Sequence, residues 1–253
     1  MYDIGGKMSC EPAVNGLPEI KVLAMRLPKF ISPEEIEYLL SFVSANKRER
    51  ILKLKKREDA CRTLLADILV RWQVALQTGS SPFEIVYEYN KFGKPLISKC
   101  DSGHSIEFNV SHSGDWVVAA FDSNPVGIDL EKIEPINVIA IGRQFFSKSE
   151  YQSLISKDVV ILFHFYELWA LKESYIKCLG CGLSKPLHSF SVVKHSGFFY
   201  TALDDSEREQ HFLRTFDLDE EYKSAICSKK LFQENIQLVD YTTLVNNIGK
   251  LNS

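Results

Sequence analysis

No stretch of this 253-residue chain approaches the roughly 18 apolar residues of a membrane-spanning helix, and the start lacks the basic end and apolar core of a secretion signal. Secretion and membrane insertion are not expected. An excess of one charge is also missing. The 30 Lys and Arg against 33 Asp and Glu leave a net charge of −3 and a pI near 6.1, so bulk attraction to nucleic acid or an anionic membrane is not expected either. Cysteine is sparse: Cys10, Cys61, Cys100, Cys178, Cys181 and Cys227 are scattered through a chain too large to need stapling, and read as reduced thiols in a cytoplasmic protein. Short-period repeats and low-complexity segments are absent as well.

What remains is ordinary globular composition, 45% hydrophobic and 25% charged, enough for one large domain or two modest lobes. Residues 1–18 carry no periodicity and are expected to form a flexible leader. A strand is expected over Ile20 to Leu27. Ser32-Pro33-Glu34-Glu35 then announces a capped helix running to about Val43. Cys61, Leu64, Leu65, Ile68, Leu69, Trp72 and Leu76 recur at helical spacing before Gly79 and predict a helix with one buried stripe. FEIVYEY, IEFNV, WVVAAF and PVGIDLEKI read as strands. Helices are expected around Asn137 to Phe145 and Asp158 to Leu179, followed by the strand candidates FSVVKH, FFYTALD, FLRTFDL and YKSAICSK. The order of helices, strands, helices, strands favours an α+β protein of two similar lobes over a doubly wound sheet.

Three acids stand out. Asp129 and Glu131 are two apart on a strand, so both leave one face while Ile128 and Leu130 leave the other. A solvated strand face would explain that pair. Glu173 sits on the helix FYELWALKESYIK, apolar nearly all round, where an unpaired carboxylate would cost several kcal/mol unless neutralised, paired or bound to a cation. An ion pair with Lys177 one turn on is the simpler explanation. Together the three form an all-oxygen ligand set of the kind Mg2+ prefers, usually completed by water and substrate phosphates.

Anion-binding signals are present too. Seven basic residues and one acid, Glu49, lie between Lys47 and Arg57, a cluster able to hold a phosphate or simply to solvate a helix surface. Ser111, His112, Ser113 and Gly114 are expected in a turn between two strands, where hydroxyls, imidazole and backbone N–H groups can converge on an anion or make only local bonds. Cys178-Leu179-Gly180-Cys181 has C-x-x-C spacing without a second ligand pair, which disfavours zinc or redox chemistry.

NVSHSGDWVVAAF, PVGIDLEK, FFSKSEY and LWALKESYIKCLGCGLSKPLHSFSV, in that order, closely resemble the surfactin-type 4'-phosphopantetheinyl transferases, with the likeness extending upstream through KREDACRTLLADILVR and KFGKP. The resemblance implies two pseudo-symmetric α+β lobes with the active site in the cleft between them, a leader at 1–18 and lobes at 19–123 and 124–253. It implies that Asp129, Glu131 and Glu173 bind Mg2+, and that Lys177 and His112 contact the coenzyme A phosphates. Ser111 would belong to the coenzyme A site, Lys94 to its adenylate side, and Lys47, Arg50 and Thr63 to its 3'-phosphate. Glu173 is the candidate base for the serine of an apo acyl or peptidyl carrier protein. Trp169, Lys172 and Glu150 match the family signature without an assigned role. The implied protein is a monomeric transferase serving nonribosomal peptide or polyketide synthesis. Its competitors are a non-catalytic module that binds coenzyme A or a carrier, and a magnesium-dependent phosphotransferase or phosphatase acting on small phosphoesters.

Overall fold

A computed structural model of the chain describes residues 17–98, 106–157, 160–195, 199–204 and 210–252; the expected leader lies almost wholly outside them. The chain enters as β1 (Glu19–Arg26) and turns into α1 (Pro33–Leu40). The Ser32 hydroxyl accepts from Glu35 N at 3.1 Å while the Glu35 carboxylate accepts from Ser32 N at 2.8 Å, a reciprocal cap that starts the helix as expected. It ends at Leu40, three residues short of the expected Val43, and Ser44 caps a separate helix, α2 (Ala45–Leu52). Next comes α3 (Arg57–Thr78), closed by Gly79 in the left-handed conformation, φ 71°. This helix is buried well beyond a stripe. Asp67, Arg71 and Gln73 are inside as well as its aliphatic residues, while Leu76 is exposed. Arg71 makes this possible by bonding Asp67 at 2.7 Å and the carbonyls of Pro82 and Ile85, so the buried charge is paired.

FEIVYEY forms a strand only at β2 (Tyr87–Tyr89), which pairs with β3 (Pro95–Ile97) in a small hairpin. β4 (Glu107–Ser113) and β5 (Trp116–Asp122) follow, then β6 (Val126–Lys132), α4 (Val138–Phe145), α5 (Lys148–Ile155) and α6 (Ile161–Leu179). The second half closes with β7 (Ser191–Lys194), β8 (Phe199–Leu203), β9 (Phe212–Thr215) and β10 (Tyr222–Ser228), and the chain finishes as β11 (Gln233–Leu238) and α7 (Tyr241–Ile248). Two main sheets result, ordered β11-β1-β5-β4 and β6-β10-β9-β8-β7. Each carries a long helix, α3 on the first and α6 on the second, the two-lobed α+β architecture expected. The last elements cross back. β11 pairs in parallel with β1, and Leu244 and Ile248 of α7 join the first lobe's core, so chain halves and lobes part company at the C-terminus.

Period-two alternation arranges the cores. On β1 and β5, Leu23, Met25, Val117 and Ala119 face α3, whereas Val22, Ala24, Val118 and Ala120 pack on Val126, Ile128 and Leu130 of β6. The opposite face of β6 therefore meets α6. Contact there is close: a Cβ on Gly127 would lie 1.9 Å from the Ser174 carbonyl oxygen, so only glycine lets helix and strand backbones touch. A second device holds α6. Lys172, fully buried, bonds both Glu150 oxygens at 2.9 and 2.7 Å and the Phe190 carbonyl at 2.7 Å. The Glu150 carboxylate in turn accepts from Val192 N at 2.8 Å and from Ser147 N at 2.9 Å, capping α5. Two of the signature residues thus form one saturated buried pair joining α5, α6 and β7. No described helix is long and apolar enough to cross a membrane.

Removing one partner of such a pair strands the other charge in the interior. Lys172→Met is expected to destabilise the protein by about 3–5 kcal/mol in urea unfolding; a loss under 1 kcal/mol would show that the pair does not hold α6.

Candidate active site

The sheets meet along β4 and β6, and the joint is made by side chains. Asn109 Oδ1, Ser111 Oγ and Ser113 Oγ, alternate residues of β4, accept from the backbone N–H groups of Ile128, Leu130 and Lys132 at 3.1, 3.3 and 3.0 Å. Ser111, His112 and Ser113 are therefore strand residues, not the turn expected from sequence, and only Gly114, at φ 51°, lies in the turn. The reason is the backbone ladder with β5, which continues as far as Ser113 opposite Trp116; the alternating side chains are thereby left to meet the outer edge of β6, whose other edge pairs with β10.

On β6, Asp129 lies beneath α6. Its Oδ1 accepts from Ser111 Oγ at 3.0 Å and from Lys177 Nζ at 2.6 Å, and Lys177 also donates to Ser111 Oγ at 2.9 Å. Asp129 Oδ2 is buried and has no hydrogen-bond partner. An orphaned carboxylate oxygen in such a place is expensive unless something positive completes it. The Glu173–Lys177 ion pair weighed as the simpler alternative is not what forms, since Lys177 pairs with Asp129 across to the strand.

The other two acids face the same charge. Desolvation, with Asp129 and Glu173 adding, pushes the Glu131 carboxyl up to about 8, against the pull of Lys177 and a hydrogen bond from Trp169. Glu173 is raised by desolvation and then by Asp129, with Lys177 opposing. Carboxyls that hold protons this readily are ones a cation can stabilise by replacing the proton. Among the described residues, no three His, Cys, Asp or Glu side chains already stand close enough to form a metal cage. The fit to a divalent ion thus rests on the orphaned Oδ2 and the all-oxygen donor set, which suit a hard cation that keeps water ligands. Trp169 both packs, stacking on Phe165 at 5.6 Å, and bonds Glu131.

His112 follows Ser111 on β4 and keeps an exposed edge. Enough protein still surrounds the ring for desolvation to lead in lowering its pKa, with Lys177 and Arg62 adding and the backbone and Asp59 opposing. In the first lobe, Lys47, Arg50 and Thr63 line one cavity of about 370 Å³ together with Tyr87, Tyr89, Gly93 and Pro95. Lys47 stands 4.0 Å from Asp67, and Arg50 lies over the Tyr89 ring at 6.0 Å. Other members of the basic cluster face elsewhere: Arg48 pairs with Glu37, Lys53 with Glu49, and Arg57 bonds the Ile31 carbonyl.

Lys94 is already engaged within the protein. Its ammonium donates to the carbonyls of Val126, Lys177 and Cys178 at 3.2, 2.9 and 3.4 Å, so its three N–H groups have partners. Cys178 Sγ is directed to the Pro125 carbonyl at 3.2 Å. Sequence reasoning passed over Asn109 and gave Ser113 only a place in an anion-binding turn. Their period-two spacing with Ser111 was the available signal, but nothing along the chain says which strand they would meet.

Comparison with known proteins gives one answer throughout. Residues 125–227 match the 4'-phosphopantetheinyl transferase superfamily, and residues 31–124 match "4'-phosphopantetheinyl transferase, N-terminal". The chain is similar to 4'-phosphopantetheinyl transferase Sfp of Bacillus subtilis (strain 168), 42% identical over 89% of this chain and 100% of that one. It is 40% identical, with the same coverage, to 4'-phosphopantetheinyl transferase ffp of Bacillus subtilis. A third relative, 4'-phosphopantetheinyl transferase gsp of Aneurinibacillus migulanus, is 36% identical over 83% of this chain and 86% of its own length.

The site's electrostatics can be checked without substrate. The His112 ring should titrate below the usual histidine value of about 6.5 in an NMR pH series, and Lys177→Met should move its midpoint upward by removing a nearby positive charge. Because a lowered histidine pKa means that the fold prefers the neutral ring, this contribution to stability is present above about 6.5 and fades as pH falls below it. An unchanged midpoint in Lys177→Met would separate His112 from the Lys177 charge.

Proposed function

Since the chain belongs to the 4'-phosphopantetheinyl transferase superfamily, we propose that it transfers the 4'-phosphopantetheine arm of coenzyme A to a serine hydroxyl of an apo carrier protein, with these residues as its machinery. The observation that carries the residue roles is the meeting of Ser111 and Asp129 on two strands with Lys177 on α6, beside Glu131 and Glu173 whose carboxyls are raised by desolvation and then by Asp129. Lys47, Arg50 and Thr63 hold the 3'-phosphate, for which a cavity with two cations and a hydroxyl on its wall is suited. Asp129, Glu131 and Glu173 hold a divalent cation, Mg2+ by the hardness of its oxygen ligands. When bound, that ion neutralises the diphosphate and orients it for in-line displacement.

The protein's own groups do the rest. Lys177, already in the cleft, donates to a diphosphate oxygen, and His112 adds a second donor where charge develops. The carrier serine oxygen bonds to the β-phosphorus as the bridge to the α-phosphate breaks, and 3',5'-ADP leaves. Glu173, whose raised pKa suits proton acceptance, takes the serine proton directly or through water. A monomer suffices, because one chain brings both walls of the cleft. Free Cys61, Cys178 and Cys227 suit a reducing cytoplasm. Acyl or peptidyl carriers of nonribosomal peptide or polyketide synthesis are the partners.

A non-catalytic coenzyme A or carrier-binding module and a small-phosphoester phosphatase make different predictions. Incubated with coenzyme A and Mg2+, an apo carrier should gain about 340 Da by phosphoryl-centre chemistry; unmodified carrier with bound coenzyme A would favour the module, and phosphate release without carrier the phosphatase. Glu173→Gln should lower kcat by at least about 100-fold, in the range for a lost general base or ligand. Chelation should abolish transfer and added Mg2+ restore it. Wild-type turnover in the Gln variant would remove Glu173 from the chemistry.

A further inference from the structure

The hairpin β2–β3 belongs to the first lobe, yet its turn reaches the second. Asn90 Oδ1 accepts from Phe92 N and Lys94 N, both at 2.9 Å, which closes the turn, and Asn90 Nδ2 donates to the Gly180 carbonyl at 2.7 Å. Gly180 caps α6 at φ 66°. A Cβ there would lie 2.9 Å from Lys94 Cδ and 3.1 Å from Asn90 Nδ2, so hairpin and helix end are fitted to one another.

Lys94 completes the contact. A helix C-terminus leaves its last carbonyls unpaired and carries partial negative charge, so an ammonium is a natural cap. Two of the carbonyls Lys94 holds, those of Lys177 and Cys178, belong to the last turn of α6, and the third is that of Val126 at the start of β6. One side chain thus grips both elements that carry the acids and Lys177. Meanwhile its neighbours Gly93 and Pro95, with Tyr87 and Tyr89, line the cavity that also holds Lys47, Arg50 and Thr63. For Lys94 to reach a nucleotide it would have to abandon all three carbonyls, each part-buried and then short of a partner.

We propose that Lys94 is a positioning residue that acts through the end of α6, holding Lys177 and the start of β6 in register with the acid cluster, and that it does so without touching the nucleotide. A second consequence follows for the hairpin: it ties the wall of the first-lobe cavity mechanically to the second-lobe acids, so the two halves of the cleft move together. The inference rests on the functional reading above only for its kinetic readout.

The test is Lys94→Met, which keeps the stem and removes the donors. Expected are a kcat reduced at least tenfold, a KM for coenzyme A and a Kd for 3',5'-ADP within threefold of wild type, and at least tenfold faster amide hydrogen exchange over residues 174–181 in the ligand-free protein. In the double variant Lys94→Met/Lys177→Met, kcat should match Lys177→Met alone, because both changes act through one group. A tenfold weaker Kd for 3',5'-ADP with unchanged kcat would overturn the proposal in favour of direct nucleotide contact. Multiplying losses in the double variant, or unchanged exchange at the helix end, would also overturn it. Should Lys94→Met fail to fold, Asn90→Asp, which keeps the acceptor that closes the turn and removes the donor to Gly180, decides on the same readouts. If the wild-type protein modifies no carrier, the functional reading fails, and the exchange measurement still settles the role of Lys94.

Discussion

A single hydroxyl sits where everything else converges. Ser111 Oγ donates to Asp129 and accepts from both the Leu130 N–H and the Lys177 ammonium. A hydroxyl has one donor and two acceptor sites, so its capacity is fully used. Those three bonds join the first lobe's edge strand, the second lobe's edge strand and the helix above. Asn109 and Ser113 extend the joint to either side, but only Ser111 also reaches the charged groups. A backbone ladder between β4 and β6 would have closed the sheets into one and covered this face; a side-chain ladder holds the strands apart at a distance that leaves Asp129 between them and α6.

The remaining architecture serves to keep α6 where that hydroxyl needs it. Gly127 permits backbone contact at one place, Glu150 and Lys172 grip the middle of the helix, and Lys94 with Asn90 caps its end. None of these groups needs to touch a substrate. Their shared logic is that of a buried charge or carbonyl that accepts only one arrangement of partners. Glu131 and Glu173 are held in an unfavourable state, raised by desolvation and by Asp129, and Asp129 Oδ2 has no hydrogen-bond partner. Local instability of this kind is tolerable only on a rigid support.

Much of this was legible in the chain. The capped start of α1, the glycine end of α3, the end of α6 at Leu179 and the alternation of PVGIDLEK each depend on residues close in sequence, and the structure places them as expected. The ordered motifs identified the family, and with it the two lobes. Reading fell short both locally and at long range. Ser111 to Ser113 looked like a turn because serine, histidine and glycine favour turns locally, yet they pair with Val118 to Trp116 of β5 and leave a turn of only two residues. Lys94 is set at the adenylate side by family resemblance alone, and the carbonyls it bonds on β6 and α6 lie far along the chain. β11 and α7 returned to the first lobe although nothing in their own residues names β1 as a neighbour.

By itself, then, the sequence determined which residue types stand on which face of which element, since a period of two or of 3.6 is a property of the local backbone. That was enough to set Asp129 with Glu131 and to place Glu173 and Lys177 one turn apart. Only the tertiary structure decided the pairing: that Lys177 binds Asp129 rather than Glu173, that Ser111 joins them, and that Lys94 belongs to a helix end. The reason is that a charge is stabilised by whatever lies within a few ångströms of it, and those neighbours are chosen by packing across the whole chain.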